Sequence, residues 1–214
     1  LQALLDYLSD GGHLMLVINS TDLPNFNTLT QTYGLALQEG LLGDYNRAYS
    51  MYASQYGYFC IAPTLSEVNP ITSSLTANSI LFYPRGMAEV APARDTISVS
   101  PLMSTTERGF LYVDQDHDPV EGTYYIGATA TEDTANGTAR FTVFSSASLI
   151  SEEITNYYSS LSNLDIFMNA VAANFDGEVT SLSIPAISLT VENITVPNPS
   201  LWAGLLVLVL PLGT

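Results

Sequence analysis

Leu1-Gln-Ala-Leu-Leu-Asp-Tyr-Leu-Ser-Asp-Gly-Gly-His-Leu-Met-Leu-Val-Ile18 is the stretch that decides how this chain is read. Leu1, Leu4, Leu5 and Leu8 recur at helical spacing and line one face of a helix. Asp10-Gly11-Gly12 stops it, because glycine readily adopts the left-handed conformation in which helices end. Leu14 to Ile18 is a continuous aliphatic run, the pattern of a strand buried on both faces of a parallel sheet. A polar loop from Asn19 to Asn25 follows, and Phe26, Leu29, Tyr33 and Leu37 mark a second helix ending near Gly40. Helix, glycine stop, buried strand, polar loop and helix together predict an α/β fold, three-layered, on a mostly parallel, doubly wound sheet. The chain opens inside a helical pattern, so the domain is expected to be N-terminally truncated.

Working outward, residues 41–122 read as an irregular, β-rich insertion within an α/β domain over 1–178. Short strands are expected at Ile80 to Tyr83 and Ile97 to Val99, with a short helix at Pro70 to Leu75. Thr123 to Thr131 and Arg140 to Ser145 are longer strands, joined by a turn that contains Asn136-Gly137. Leu161 to Phe175 reads as a helix capped by Ser162, with Leu164, Phe167, Met168, Val171 and Phe175 on its apolar face. Residues 179–199 alternate and are broken by Pro185, the pattern of an extended stalk. Residues 200–214 then read as the start of a truncated transmembrane helix. From Leu201 to Leu212 a helix would cover roughly 18 Å of a hydrocarbon core of about 30 Å.

Composition narrows the function. The net charge is −16, only 12% of residues are charged, and all five basic residues are arginines. Without basic clusters the chain has no electrostatic footprint for nucleic acid or anionic lipid. Cys60 is the single cysteine, which excludes an internal disulfide and any cysteine-based zinc site. Three glycosylation sequons, at Asn19, Asn136 and Asn193, are read as chance matches.

Several stretches together resemble one family. Leu5-Asp-Tyr-Leu-Ser-Asp-Gly-Gly-His-Leu-Met-Leu-Val17 is similar to a step in the auxiliary components of GldG-type ABC transport systems. So are Leu23-Pro-Asn-Phe26 with Tyr33-Gly34-Leu35 and Glu39-Gly40, and Asn69-Pro-Ile-Thr72. Ala139-Arg140-Phe-Thr-Val-Phe144 and Asn163-Leu-Asp-Ile-Phe-Met-Asn-Ala-Val171 resemble the family's closing block. Asn69 stands where the family has His, and Phe144-Ser145-Ser146 where it tends to have Gly and Asp. The resemblance implies an amidotransferase- or flavodoxin-like domain on the extracytoplasmic side of the cell membrane, held by its C-terminal helix beside ABC permease and ATPase subunits.

An amidotransferase-like fold raises a Cys–His–Glu triad, but Cys60 lies between Phe59 and Ile61 with no helix start behind it, so a core cysteine is expected. His13 is expected to be structural or solvent-facing. Ser145, Ser146 and Ser148 follow a strand but lack the glycines of a nucleophile elbow. In a doubly wound sheet a ligand sits at the carboxyl ends of the strands, which would gather Asn19, Ser20, Ser145 and Ser146. Asp114, Asp116 and Asp118 alternate in a loop, either a solvated acidic turn or a weak divalent-cation site. Tyr45, Tyr49, Tyr52 and Tyr56 would form an aromatic stripe on a helix, packing on the sheet or facing a partner. The leading expectation is a non-enzymatic auxiliary component that works through protein contacts and needs no cofactor. A solute- or glycan-binding domain is the alternative, and a degenerate hydrolase or amidotransferase ranks last.

Overall fold

The computed structural model describes residues 1–18, 24–46, 57–157 and 160–175, all within one compact unit spanning Leu1–Ser183. In chain order the first strands are β1 (His13–Val17), β2 (Leu35–Leu37), β3 (Leu41–Asp44), β4 (Cys60–Ile61), β5 (Thr64–Leu65) and β6 (Leu81–Phe82). They are followed by β7 (Met87–Glu89), β8 (Ile97–Ser104), β9 (Gly109–Tyr112), β10 (Val120–Glu121), β11 (Tyr125–Thr134) and β12 (Gly137–Phe144). The helices are α1 (Gln2–Ser9), α2 (Pro24–Thr32), α3 (Glu152–Tyr157) and α4 (Asn163–Asn174).

The large sheet runs β1-β12-β11-β7-β2, with β8 also on β11 and β5 on β8. Smaller sheets are β10-β9-β3 and β4-β6. Among the described strands only β1 and β12 pair in parallel; every other ladder is antiparallel. The expected mostly parallel, doubly wound sheet is therefore wrong. The fold is mostly β, with a mixed sheet. The cause lies in the connections. Gly34, at φ +85, ends α2 early, and Leu35–Leu37 becomes a strand on the far edge beside β7 instead of more helix. The two long strands form a tight hairpin closed over Ala135 and Asn136, which makes their pairing antiparallel.

Two apolar clusters lie against the sheet. One joins Leu8, Leu29, Tyr33, Leu35, Phe141 and Val143, with Leu14 and Leu16 packed on it. The other joins Leu42, Ile61, Leu81, Leu102, Leu111, Ile126, Phe144 and Ile166, with Met15 and Val17 packed on it. β1 thus sends alternate side chains to both clusters, as its aliphatic run predicts. All five of its residues are nevertheless only half-buried, because β1 is an edge strand. On β11 the register slips around Gly127, opposite Met103 and Pro101 of β8. This bulge turns Ile126 toward one cluster while Ala128 and Ala130 face the other.

α4 buries Asn163, Ile166, Asn169, Ala170 and Ala173, while Leu164 and Phe175 are exposed. Of the expected apolar face, Phe167 packs on the core, whereas Leu164 and Phe175 point to solvent and the buried side is made mainly of Ile166, alanines and asparagines. Small residues let the helix approach closely, and both asparagines find partners: Asn169 donates to Ile71 O, and Asn163 pairs with Ile80. Ser162 caps no helix N–H and donates to Ala77 O. Pro70 to Leu75 is a turn, organised by Asn69, whose side chain accepts from Ile71 N–H and donates to Ser100.

Among the described residues no helix is long and apolar enough to cross a membrane. α4, the longest of them at 12 residues, spans roughly 18 Å and carries asparagines on its buried side. The expected membrane anchoring through a C-terminal helix is thus not supported by any described helix. The runs at 179–199 and 200–214 lie outside the described residues.

Candidate functional site

The carboxyl end of the parallel pair is filled. Ser145 and Ser146 follow β12 and are almost wholly buried. Ser145 Oγ lies 2.6 Å from Arg85 O and 3.0 Å from Ile126 O. Ser146 Oγ accepts the Ser148 N–H and sits 2.7 Å from Ser148 Oγ, which accepts the N–H of Phe82. These hydroxyls stitch the β6–β7 connection onto the sheet end. Among the described residues no histidine or carboxylate bonds them, so none of these places a base to activate a serine. Asn19 and Ser20 lie outside the described residues.

Cys60 is fully buried among apolar side chains, and burial pushes its thiol up to about 12. It is a core thiol. His13 holds Asn174 O at 2.6 Å from Nδ1 and Thr138 O at 2.9 Å from Nε2, tying the end of α4 to the hairpin. Beside it is an open cavity of about 600 Å³, lined by Tyr7, Gly12, His13, Thr138, Asn174 and Phe175. It lies at the amino end of β1, opposite the expected crevice. Asp114 accepts from Asp116 N–H and from His117 Nδ1 at 2.7 Å, which holds its carboxyl below the usual carboxylate range. Asp116 and Asp118 are exposed, and no group of metal-capable side chains converges among the described residues.

The outer face of the β10-β9-β3 sheet is aromatic. The register places Gly43 opposite Phe110 and Leu41 opposite Tyr112, with Glu121 also beside Phe110. Alternation then turns Leu42 and Leu111 into the core and leaves Phe110 and Tyr112 on the outer face. Gly43 is required here, since a Cβ would occupy the space of the Phe110 ring. Tyr45 stacks on Phe110 at 4.3 Å between centroids, and Tyr58 meets both edge-on. Phe59 joins Phe110, Tyr112 and Tyr83. Arg108 lies over the Tyr45 ring at 5.4 Å and pairs with Glu121 at 3.1 Å. Tyr58 is 50% exposed and Tyr83 41%. Tyr83 holds φ +46, a strained conformation for a bulky residue, fixed by its N–H to Phe59 O and by the ring stack.

Tyr45 of the expected stripe belongs to this face; Tyr49, Tyr52 and Tyr56 lie outside the described residues. Phe110, Tyr112, Tyr58, Phe59 and Tyr83 were missed by sequence reasoning. The one available signal was Phe110-Leu111-Tyr112 alternating after Gly109.

No protein-family model and no curated protein matches the chain. Among solved structures it is similar to the mmIFT52 N-terminal domain, with a TM-score of 0.56, at 16% identity, over 83% of this chain and 71% of that one. At that identity the likeness extends to the fold alone. It corrects the expected amidotransferase-like architecture, and nothing in it carries the ABC permease and ATPase partners that the resemblance implied.

Proposed function

We propose that this domain works by binding protein and performs no catalysis, with the outer face of the β10-β9-β3 sheet as its docking surface. The observation that carries the reading is the partly exposed cluster of Tyr45, Tyr58, Phe59, Tyr83 and Tyr112 around Phe110. Tyrosine is favoured at interfaces because it offers large, rigid contact area with a polar tip. A net charge of −16 favours a partner surface rich in lysine and arginine. The buried, bonded state of Ser145, Ser146 and Cys60 supports the absence of catalysis.

The test is photo-crosslinking in the native cell. A benzophenone amino acid in place of Tyr58 is expected to capture one discrete protein, and the same group in place of Val68, which is more exposed, is not. Equal capture at both positions defeats the reading. So does turnover of an ester or of glutamine that disappears in Ser146→Ala or Cys60→Ala.

A further inference from the structure

β1 leaves half of its backbone hydrogen-bonding groups facing away from the sheet. Gly12 O accepts from Arg140 N–H and Ile18 N–H donates to Phe144 O. The period of two in the ladder then turns the N–H and C=O of Leu14 and Leu16 toward β12. Those of His13, Met15 and Val17 point outward. At His13 both outward groups are satisfied by one side chain: Tyr7 OH accepts from its N–H at 3.2 Å and donates to its C=O at 3.3 Å. No described residue does this for Met15 or Val17.

We propose that the outward edge of β1 at Met15 and Val17 is a strand-addition site for an extended, arginine- or lysine-bearing, apolar segment of another protein. It is a different surface from the aromatic face, although it shares the reading of the domain as a protein binder. Main-chain groups in this geometry are complementary to another strand. The flanking side chains dictate its character. Leu14 and Leu16 border one apolar cluster and Met15 and Val17 the other, so an added strand meets apolar surface on both of its faces. The strand lacks the lysine, proline or bulge with which edges are normally blunted. Charge selects the occupant: a chain at −16 repels a second copy and attracts a cationic segment.

The experiment uses the full chain and a fluorescein-labelled peptide, Arg-Thr-Val-Thr-Val-Thr-Val-Arg. Saturable binding by anisotropy is expected, weakened at least tenfold when glutamates replace the terminal arginines. Amide exchange at Met15 and Val17 should be fast in the free chain and slow at least tenfold on binding, while Leu14 and Leu16 stay slow throughout. Val17→Pro should abolish binding, and Tyr58→Ser should leave it unchanged, which separates failure here from failure of the aromatic face. The proposal is overturned if the peptide does not bind, if Met15 and Val17 are already as protected as Leu14 and Leu16, or if their protection rises with protein concentration through self-association.

Discussion

The side chain of Asn163 pairs with the backbone of Ile80 as a neighbouring strand would: Oδ1 accepts the Ile80 N–H at 3.0 Å and Nδ2 donates to its C=O at 2.8 Å. Both residues are buried, so α4 is docked by an amide that satisfies two main-chain groups just before the start of β6. Asn163→Leu preserves size but leaves both groups unpaired. A loss of about 2–4 kcal/mol is expected, since each buried unsatisfied group costs roughly 1–3 kcal/mol. Urea denaturation measures it, and a loss below about 1 kcal/mol would show that water reaches Ile80.

Acid should weaken the fold through Glu132. Its carboxylate is held by a two-pronged bond to Arg94, both contacts 2.6 Å, and by Thr96 Oγ1 at 2.7 Å. The Arg94 bond lowers its pKa below the ordinary carboxylate value, burial working against it. Unfolding therefore takes up a proton in acid. The stabilisation is complete above the unfolded pKa of about 4.3 and is lost as pH falls through the depressed folded value. Arg94 is 41% exposed, so the pair is worth only about 1 kcal/mol. Melting curves of Glu132→Gln should show a smaller drop between roughly pH 5 and 3 than the parent.

Proline should be tolerated unequally along β1. Leu16→Pro removes a ladder N–H and is expected to cost about 3 kcal/mol or more, whereas Val17→Pro removes an outward one and should cost much less. Equal costs by thermal unfolding would contradict the alternation deduced from the Gly12 and Ile18 bonds.

Gly43→Ala should disturb the aromatic face, because the added methyl meets the Phe110 ring. A destabilisation of about 1–3 kcal/mol is expected from overpacking. The near-ultraviolet circular dichroism of the Tyr45–Phe110 stack should change with it; an unchanged spectrum would mean the ring yields freely.

Cys60 should resist thiol reagents at pH 8 in the folded chain and react within minutes in strong urea. Burial both blocks access and suppresses the thiolate, the reactive form. Rapid labelling of the native chain would show that the core opens locally.

Local chemistry was legible in the sequence. The leucine stripe of α1, its glycine stop, the apolar run of β1, the hairpin at Asn136-Gly137, the extent of α4 and the core character of Cys60 all follow from side-chain period and backbone preference within a few residues. What α4 buries was not legible, because exposing Leu164 and burying Asn163 depends on Ile80, which is 83 residues away. Nor was the sheet's direction: a strand between two apolar clusters has the same composition whether its neighbours run with it or against it. The placement of β2 at the far edge, the bulge at Gly127 and the gathering of aromatics from β3, β9 and the 57–59 turn were likewise decided only in three dimensions. Periodicity reports which faces of an element are apolar. Which element covers each face is settled by hydrogen-bond partners and close packing between residues far apart in the chain, and only the tertiary structure holds that information.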